Sequence, residues 1–209
     1  MQINKQWNDF FDSWLLIRTI KIQELFLEKI LKYTEKDDLL LELGTGSGHT
    51  SIALSFSNRN VISSDINEVL LSNIPDNKRL CKKNIDMFDI CKNEKIKVDC
   101  IFHQGLMEHF SDEEIILSLK EQAKVSKFII FDVPNDKRLK KTQEFGNERF
   151  LSVKKWKSLI ADSGLQIVEV SGRRFSAMFR FLPQIFQQSE LIRRIFGTSS
   201  IFVCKMGTP

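Results

Sequence analysis

One tyrosine and three tryptophans stand against seventeen phenylalanines in 209 residues, an aromatic content almost free of polar groups that points to a well-filled interior. The four cysteines, Cys81, Cys91, Cys100 and Cys204, include no Cys-x-x-Cys pair. The three histidines, His49, His103 and His109, have no zinc-type spacing to them. A metal site is therefore not expected, and reduced thiols are. Long apolar runs are missing as well. None approaches the roughly 20 residues of a membrane span, and Met1 to Trp14 carries charged and amide residues where a signal peptide needs an apolar stretch. These absences predict a cytoplasmic protein without a membrane span. There is no internal repeat and no low-complexity segment. With 42% apolar and 28% charged residues, disordered and collagen-like chains are excluded. The length suits one domain, or one with a small elaboration.

Charge of one sign is scarce over the whole chain, which carries a net +4, and the interspersed signs argue against a dedicated nucleic-acid binder. The distribution is uneven. Residues 151–209 hold 9 basic and 3 acidic side chains, and residues 1–150 hold 22 and 24. Whatever meets the C-terminal quarter is expected to be anionic.

What is present alternates. Trp7, Phe10, Phe11, Trp14 and Ile17 recur at helical spacing, and the pattern continues to about Tyr33, predicting one long or two short amphipathic helices. Leu39–Leu43 is then a short apolar run ending in glycines, the pattern of a strand buried on both faces. Similar runs follow at Val61–Ser64, Val98–Phe102 and Phe128–Phe131, with helical stretches between them. One helix opens on Ser111-Asp112-Glu113-Glu114, a capping box. Another runs from Ser152 to Ser163, with Val153, Trp156, Leu159 and Ile160 on one face and Gly164 placed to stop it. Leu165–Ser171 and Ser200–Lys205 read as late strands flanking a basic, Phe-rich stretch. Strand and helix in alternation predict an α/β, doubly wound, mostly parallel sheet with helices on both faces and extra N-terminal helices.

The sharpest local signal is Glu42-Leu43-Gly44-Thr45-Gly46-Ser47-Gly48, which follows the first strand and opens a helix through Ile52, Ala53 and Phe56. A dinucleotide fingerprint needs G-x-G-x-x-G; counted from Gly44, its last glycine falls on His49, so the spacing argues against NAD. Asp65 ends the second strand, 17 residues past Gly48, where a carboxylate can accept both hydroxyls of an adenosine ribose. Glu42 would repel a phosphate and suits a cation. Acid at both ends of the loop favours a nucleoside carrying an amino acid and a sulfonium.

With these residues in place, the sequence resembles the class I S-adenosylmethionine-dependent methyltransferases. The matching stretches are Leu39–Gly48, Ser64-Asp65-Ile66, Asn84-Ile85-Asp86-Met87-Phe88-Asp89, Val98–Phe110, Glu148–Ser152 and Ala161–Leu165, together spanning about residues 36–172. The resemblance implies a seven-stranded sheet and S-adenosylmethionine as cofactor, with S-adenosylhomocysteine as product. It also implies that Glu42 meets the methionine amino group and that Gly44, Thr45, Gly46 and Gly48 line the methionyl and ribose parts. Asp65 would hold the ribose diol with Ile66 beside it, and Asp86 would accept from the adenine amino group while Met87 packs on the ring. His103, Gln104 and Gly105 would lie beside the sulfonium.

Several residues keep two readings. Asp86 also suits a plain turn, and Glu108-His109 a structural turn into the next helix. His103 is either a general base or a residue that shapes the acceptor pocket. Trp7, Phe10, Phe11 and Trp14 form either a packed helix face or a lid, and the segment Asp136–Asn147, after Val133-Pro134-Asn135, is a substrate loop or a solvated connection. Arg173, Arg174, Arg180, Arg193 and Arg194, interleaved with phenylalanines, either receive an anionic group or solvate an elaboration. Trp7, Trp14, Asn135 and Arg173 are the candidate substrate residues. The organisation expected is a single domain over 1–209: a helical cap over 1–35, a cofactor-binding core over 36–172, and an elaboration with the last strand over 173–209.

The expected function is methyl transfer to O, N or C of a small-molecule acceptor. No NPPY-type motif follows the fourth strand, which carries Phe102-His103-Gln104-Gly105 instead and so argues against a nucleobase or glutamine N-methyltransferase. The alternatives are a non-catalytic S-adenosylmethionine-binding subunit that supports a partner, and an RNA or protein methyltransferase.

Overall fold

The computed structural model describes residues 13–90, 96–137, 147–175 and 189–207, and for 13–22 and 174–175 the backbone alone. The apolar run Leu39–Leu43 forms β1, and its neighbours in the sheet are the next runs of the same kind: β2 (Asn60–Asp65) on one side and β4 (Val98–Gln104) on the other. With β3 (Leu80–Asn84), β5 (Ser126–Pro134), β6 (Leu165–Phe175) and β7 (Gly197–Met206) they make one seven-stranded sheet in the order β3-β2-β1-β4-β5-β7-β6. The pairings from β3 to β5 are parallel, and β7 runs antiparallel to both β5 and β6.

Successive side chains of a strand face opposite ways, so each central strand feeds two cores. Leu41, Ile101, Ile129, Phe131, Phe202 and Cys204 face one layer, formed by α4 (Asp112–Val125) and α5 (Val153–Asp162). Leu40, Cys100, Phe102, Ile130, Ile201 and Val203 face the other, where α1 (Ser13–Lys32) contributes Phe26 and Ile30 and α2 (His49–Phe56) contributes Leu54. The doubly wound arrangement expected from the alternation is the one observed.

Local signals account for the element ends. Ser111 and Glu114 satisfy each other's backbone amides in a capping box at α4, and Ser152 caps α5. Gly164 stops α5 at φ 81°, a left-handed conformation. The short α3 (Glu68–Asn73) starts on the side chain of Asn67, and the 3-10 turn Met107–His109 leads from β4 to α4. A last short helix, α6 (Glu190–Phe196), precedes β7. At the edge of the sheet, α1 is tied to β6 through Glu169. Its carboxylate accepts from Lys29 Nζ at 2.6 Å, Lys32 Nζ at 2.7 Å and the Tyr33 hydroxyl at 2.7 Å; burial pushes the carboxyl up, and these donors together outweigh it and bring it down to about 2.

Trp7, Phe10 and Phe11 lie outside the described residues, and Trp14 belongs to α1 by its backbone. Among the described residues no helix is long and apolar enough to cross a membrane.

Among the described residues Trp156 is the largest fully buried side chain, packed from α5 against the rings of Phe131 and Phe202 at centroid distances of 6.0 and 6.5 Å. Trp156→Ala is expected to lower unfolding free energy by about 3–5 kcal/mol, read as a shift of the urea midpoint.

Candidate functional site

In a doubly wound sheet the ligand crevice opens at the carboxyl ends of the strands where the strand order reverses, here between β1 and β4. The glycine loop sits at that point. Gly48 occupies the capping position of α2 at φ 73°, and a Cβ there would lie 2.7 Å from Ile74 Cδ1, so only glycine fits. Gly46 differs: φ is 53° and no atom lies within 4 Å of its Cβ position. Its bare backbone faces open space, where a ligand can approach.

Behind the loop, Glu42 is 4% exposed although it stands in the middle of an apolar strand. Its Oε2 accepts from Thr45 Oγ1 at 2.7 Å, from the Ser51 amide at 3.2 Å and from the Ser51 hydroxyl. Because Thr45 spends its proton on Glu42, the 2.7 Å contact between Thr45 and Ser63 has the Ser63 hydroxyl as donor. Burial nevertheless dominates and pushes the Glu42 carboxyl up to about 7, against the lowering effect of these hydrogen bonds. Asp65, at the end of β2, bridges two turns: Oδ2 accepts from the Gly46 amide at 3.0 Å and Oδ1 from the Asn67 amide at 2.9 Å. The carboxylate expected to meet a ribose thus also holds the loop that would cradle it. Ile66, next in the chain, is 73% exposed at the crevice.

Other candidates separate. Asp86 is exposed, and its Oδ1 accepts from the Phe88 amide at 2.9 Å in a turn. Met87 points inward and is buried with Ile85 and Ile90. Phe88, half-buried, meets Phe110 edge-on at 5.3 Å. Asn135 is 1% exposed. Its amide donates to Gly197 O and Ser200 Oγ, both at 3.0 Å, which joins the end of β5 to β7. Arg173 is 3% exposed, pairs with Asp132, and lies 6.0 Å from the Phe26 ring centroid. Neither side chain is a free surface group awaiting an anion. Arg180 lies outside the described residues, as do residues 138–146 of the expected substrate loop.

His103 stands differently from its two expected roles at the acceptor. It alternates with Phe102 and Gln104 along β4 and so faces the α4 layer, where it is fully buried and stacks on Phe131 at 5.3 Å and 12°. Burial pushes its imidazole down to about 4, with Gln122 beside it acting weakly in the opposite sense. Neither ring nitrogen makes a hydrogen bond of good geometry. An imidazole with no exposed atom, neutral at pH 7, is a core residue in this structure. Gln104, pointing the other way, donates to Asp132 Oδ2 at 3.2 Å. Gly105, at φ 66°, is exposed at the crevice, and its amide donates to Asp132 O at 3.2 Å.

Sequence reasoning passed over Leu106, whose Cδ1 lies 3.0 Å from the Cβ position of Gly44 and so covers the start of the loop. It also passed over Asp132, a carboxylate on a buried strand beyond the glycine loop. The signal was there: an acid inside an apolar run, as at Glu42.

No protein-family model matches the chain, and no curated protein matches it. Solved structures do. The sheet order, the glycine loop after β1 and the antiparallel last strand define the class I S-adenosylmethionine-dependent methyltransferase fold. A structure of the Haloferax volcanii Trm112 methyltransferase activator in complex with a methyltransferase is matched at 18% identity and a TM-score of 0.68, over 95% of this chain and 98% of that one. An S-adenosylmethionine-dependent methyltransferase from Clostridium acetobutylicum follows at 13% identity and 0.66, over 99% and 100%. Magnesium protoporphyrin IX methyltransferase from Synechocystis, with S-adenosylmethionine bound, matches at 14% identity and 0.63, over 95% and 94%.

The raised carboxyl of Glu42 has a consequence for the free protein. Between its ordinary value of 4.5 and about 7, the folded chain holds a proton that the unfolded chain has lost, so stability falls as pH rises through that window. Glu42→Gln removes this dependence. Comparing urea unfolding at pH 5 and pH 7.5, the wild type is expected to lose roughly 2–3 kcal/mol relative to the variant.

Proposed function

We propose that the protein is an S-adenosylmethionine-dependent methyltransferase acting on a small-molecule acceptor. The observation that carries this reading is the open backbone of Gly46 at the switch point, flanked by the carboxylates of Glu42 and Asp65. A concave, bare backbone between two acids fits a nucleoside with a cationic amino-acid tail and repels a pyrophosphate. Likeness to solved structures of the same fold, one of them with S-adenosylmethionine bound, supports it.

When bound, the cofactor supplies an activated methyl group. The chain's own residues do the rest. Asp65 would accept from the ribose hydroxyls and Ile66 would lie on the adenine side, while Glu42, through Thr45 and Ser51, sets the loop and would place negative charge behind the ammonium. Gly105 and the turn after β4 form the acceptor side. A site that holds both partners in contact and excludes water accounts for much of the rate, since positioning alone supplies several kcal/mol. His103, enclosed in the core, supports this wall by packing and takes no proton. The experiment that separates an enzyme from a non-catalytic binding subunit is formation of S-adenosylhomocysteine with a library of small acceptors: turnover supports the reading, and binding without turnover supports the subunit.

In calorimetry the protein is expected to bind S-adenosylhomocysteine and to show no comparable affinity for NAD. Asp65→Ala is expected to weaken S-adenosylhomocysteine by about 1.5–3 kcal/mol, the range for a hydrogen bond to a charged group. Equal affinity for NAD, or an unchanged Asp65→Ala variant, overturns the assignment of the loop.

A further inference from the structure

Beyond the cofactor loop, the carboxyl ends of β4 and β5 bring together acids that the proposed function leaves unused. Glu108, in the 3-10 turn after β4, is 5% exposed, and its Oε2 has no hydrogen-bond partner. Its other oxygen, Oε1, lies 3.8 Å from the Cβ position of exposed Gly105, which puts the carboxyl just beneath the crevice surface. Asp132 is 4% exposed. Its Oδ2 takes both Arg173 and Gln104, while Oδ1 has no partner. Burial pushes the Glu108 carboxyl up to about 7, with Asp132 and Glu148 adding to the rise and His109 opposing it. Glu148, 8% exposed, is held against this turn by the adjoining Arg149 amide, which donates to Glu108 O at 2.9 Å.

Two buried carboxylate oxygens without donors are a costly arrangement in an isolated protein. Glu108 lies beneath Gly105 at the crevice end of β4, and Asp132, whose carbonyl takes the Gly105 amide, lies beside it near the end of β5. A hydroxyl group would satisfy one lone pair and leave the charge uncompensated. An anion would meet the carboxylates of Glu108 and Asp132, and among the described residues Arg173 is already paired with Asp132. These acids do not converge tightly enough to hold a metal ion among the described residues. An ammonium group supplies both donors and compensating charge.

Building on the methyltransferase reading, we propose that the acceptor is an amine, whose ammonium group is received by Glu108 and Asp132 and gives up one proton to Glu108. The N–H bond breaks, the proton passes to Oε2, and the electron pair left on nitrogen is free to form the new N–C bond. The ionised Glu108 becomes a neutral acid, and the acceptor becomes a nucleophile without any further reactant. This choice departs from the anionic acceptor expected from the basic C-terminal quarter, because Arg173 is already neutralised by Asp132.

The test uses ligand-observed NMR titration of the full chain with benzylamine, benzyl alcohol and benzoate, which share a ring and differ in the group they offer. Benzylamine is expected to bind saturably and at least tenfold more weakly to Glu108→Gln, an isosteric change whose folding is checked by its urea midpoint. In the wild type, benzylamine affinity is expected to rise about tenfold between pH 6 and pH 8 as Glu108 ionises, a measurement that needs no variant. Preference for benzoate, equal binding of the alcohol, absence of saturable amine binding, or an amine affinity indifferent to both pH and Glu108→Gln overturns the proposal. Each titration is run with and without S-adenosylhomocysteine. Amine binding through Glu108 in a chain that does not bind S-adenosylhomocysteine counts against the methyltransferase reading alone.

Discussion

A carboxyl group in the middle of a buried strand is the constraint on which the site depends. Glu42 sits in β1 between Leu41 and Leu43, both nearly inaccessible, and burial without donors would cost several kcal/mol. The chain meets that demand locally. Thr45 turns back from the glycine loop and Ser51 reaches down from the first turns of α2, both to the same oxygen. Strand, loop and helix are thereby joined at one atom, and the loop backbone is held in the conformation that leaves Gly46 open. Asp65 repeats the device from β2, joining the Gly46 amide to the start of α3. The groups suited to a cationic nucleoside are the same groups that fix the shape of its cradle.

The central sheet was legible in the sequence because parallel strands buried on both faces have to be short continuous apolar runs. Leu39–Leu43 and its three successors were located to within a few residues of their observed ends. The edge at β3 was less legible. Leu80–Asn84 reads Leu-Cys-Lys-Lys-Asn, with one side chain buried, because an edge strand has a solvent-facing side and needs no apolar run. Strand direction was hidden too. Nothing in Gly197–Met206 distinguishes an antiparallel strand from a parallel one, since it is buried between β5 and β6 on either side.

Within the site, the loop and its two acids could be read from spacing, whereas the side of the strand on which a residue points could not. His103 is the instructive case. Strand order brings it to the crevice end of β4, but the two-residue period turns it into the α4 layer and gives the crevice to Gln104 and Gly105. A shift of one residue separates an interior ring from a group at the crevice. Glu108, read as architecture from the sequence, carries an unpartnered oxygen that only the folded arrangement reveals.

The direction of β7 has a further result. Because it runs opposite to its neighbours, its first residues, Gly197 to Ser200, lie at the same end of the sheet as the last residues of β5, and so does the close of β6. Chain inserted between β6 and β7 therefore leaves and rejoins the sheet at the mouth of the crevice. Such an insertion can lengthen, shorten or change its chemistry while the strand pairing beneath stays the same. That hairpin is a grafting point, where the chemistry at the mouth of the crevice can change without disturbing the glycine loop beside β1.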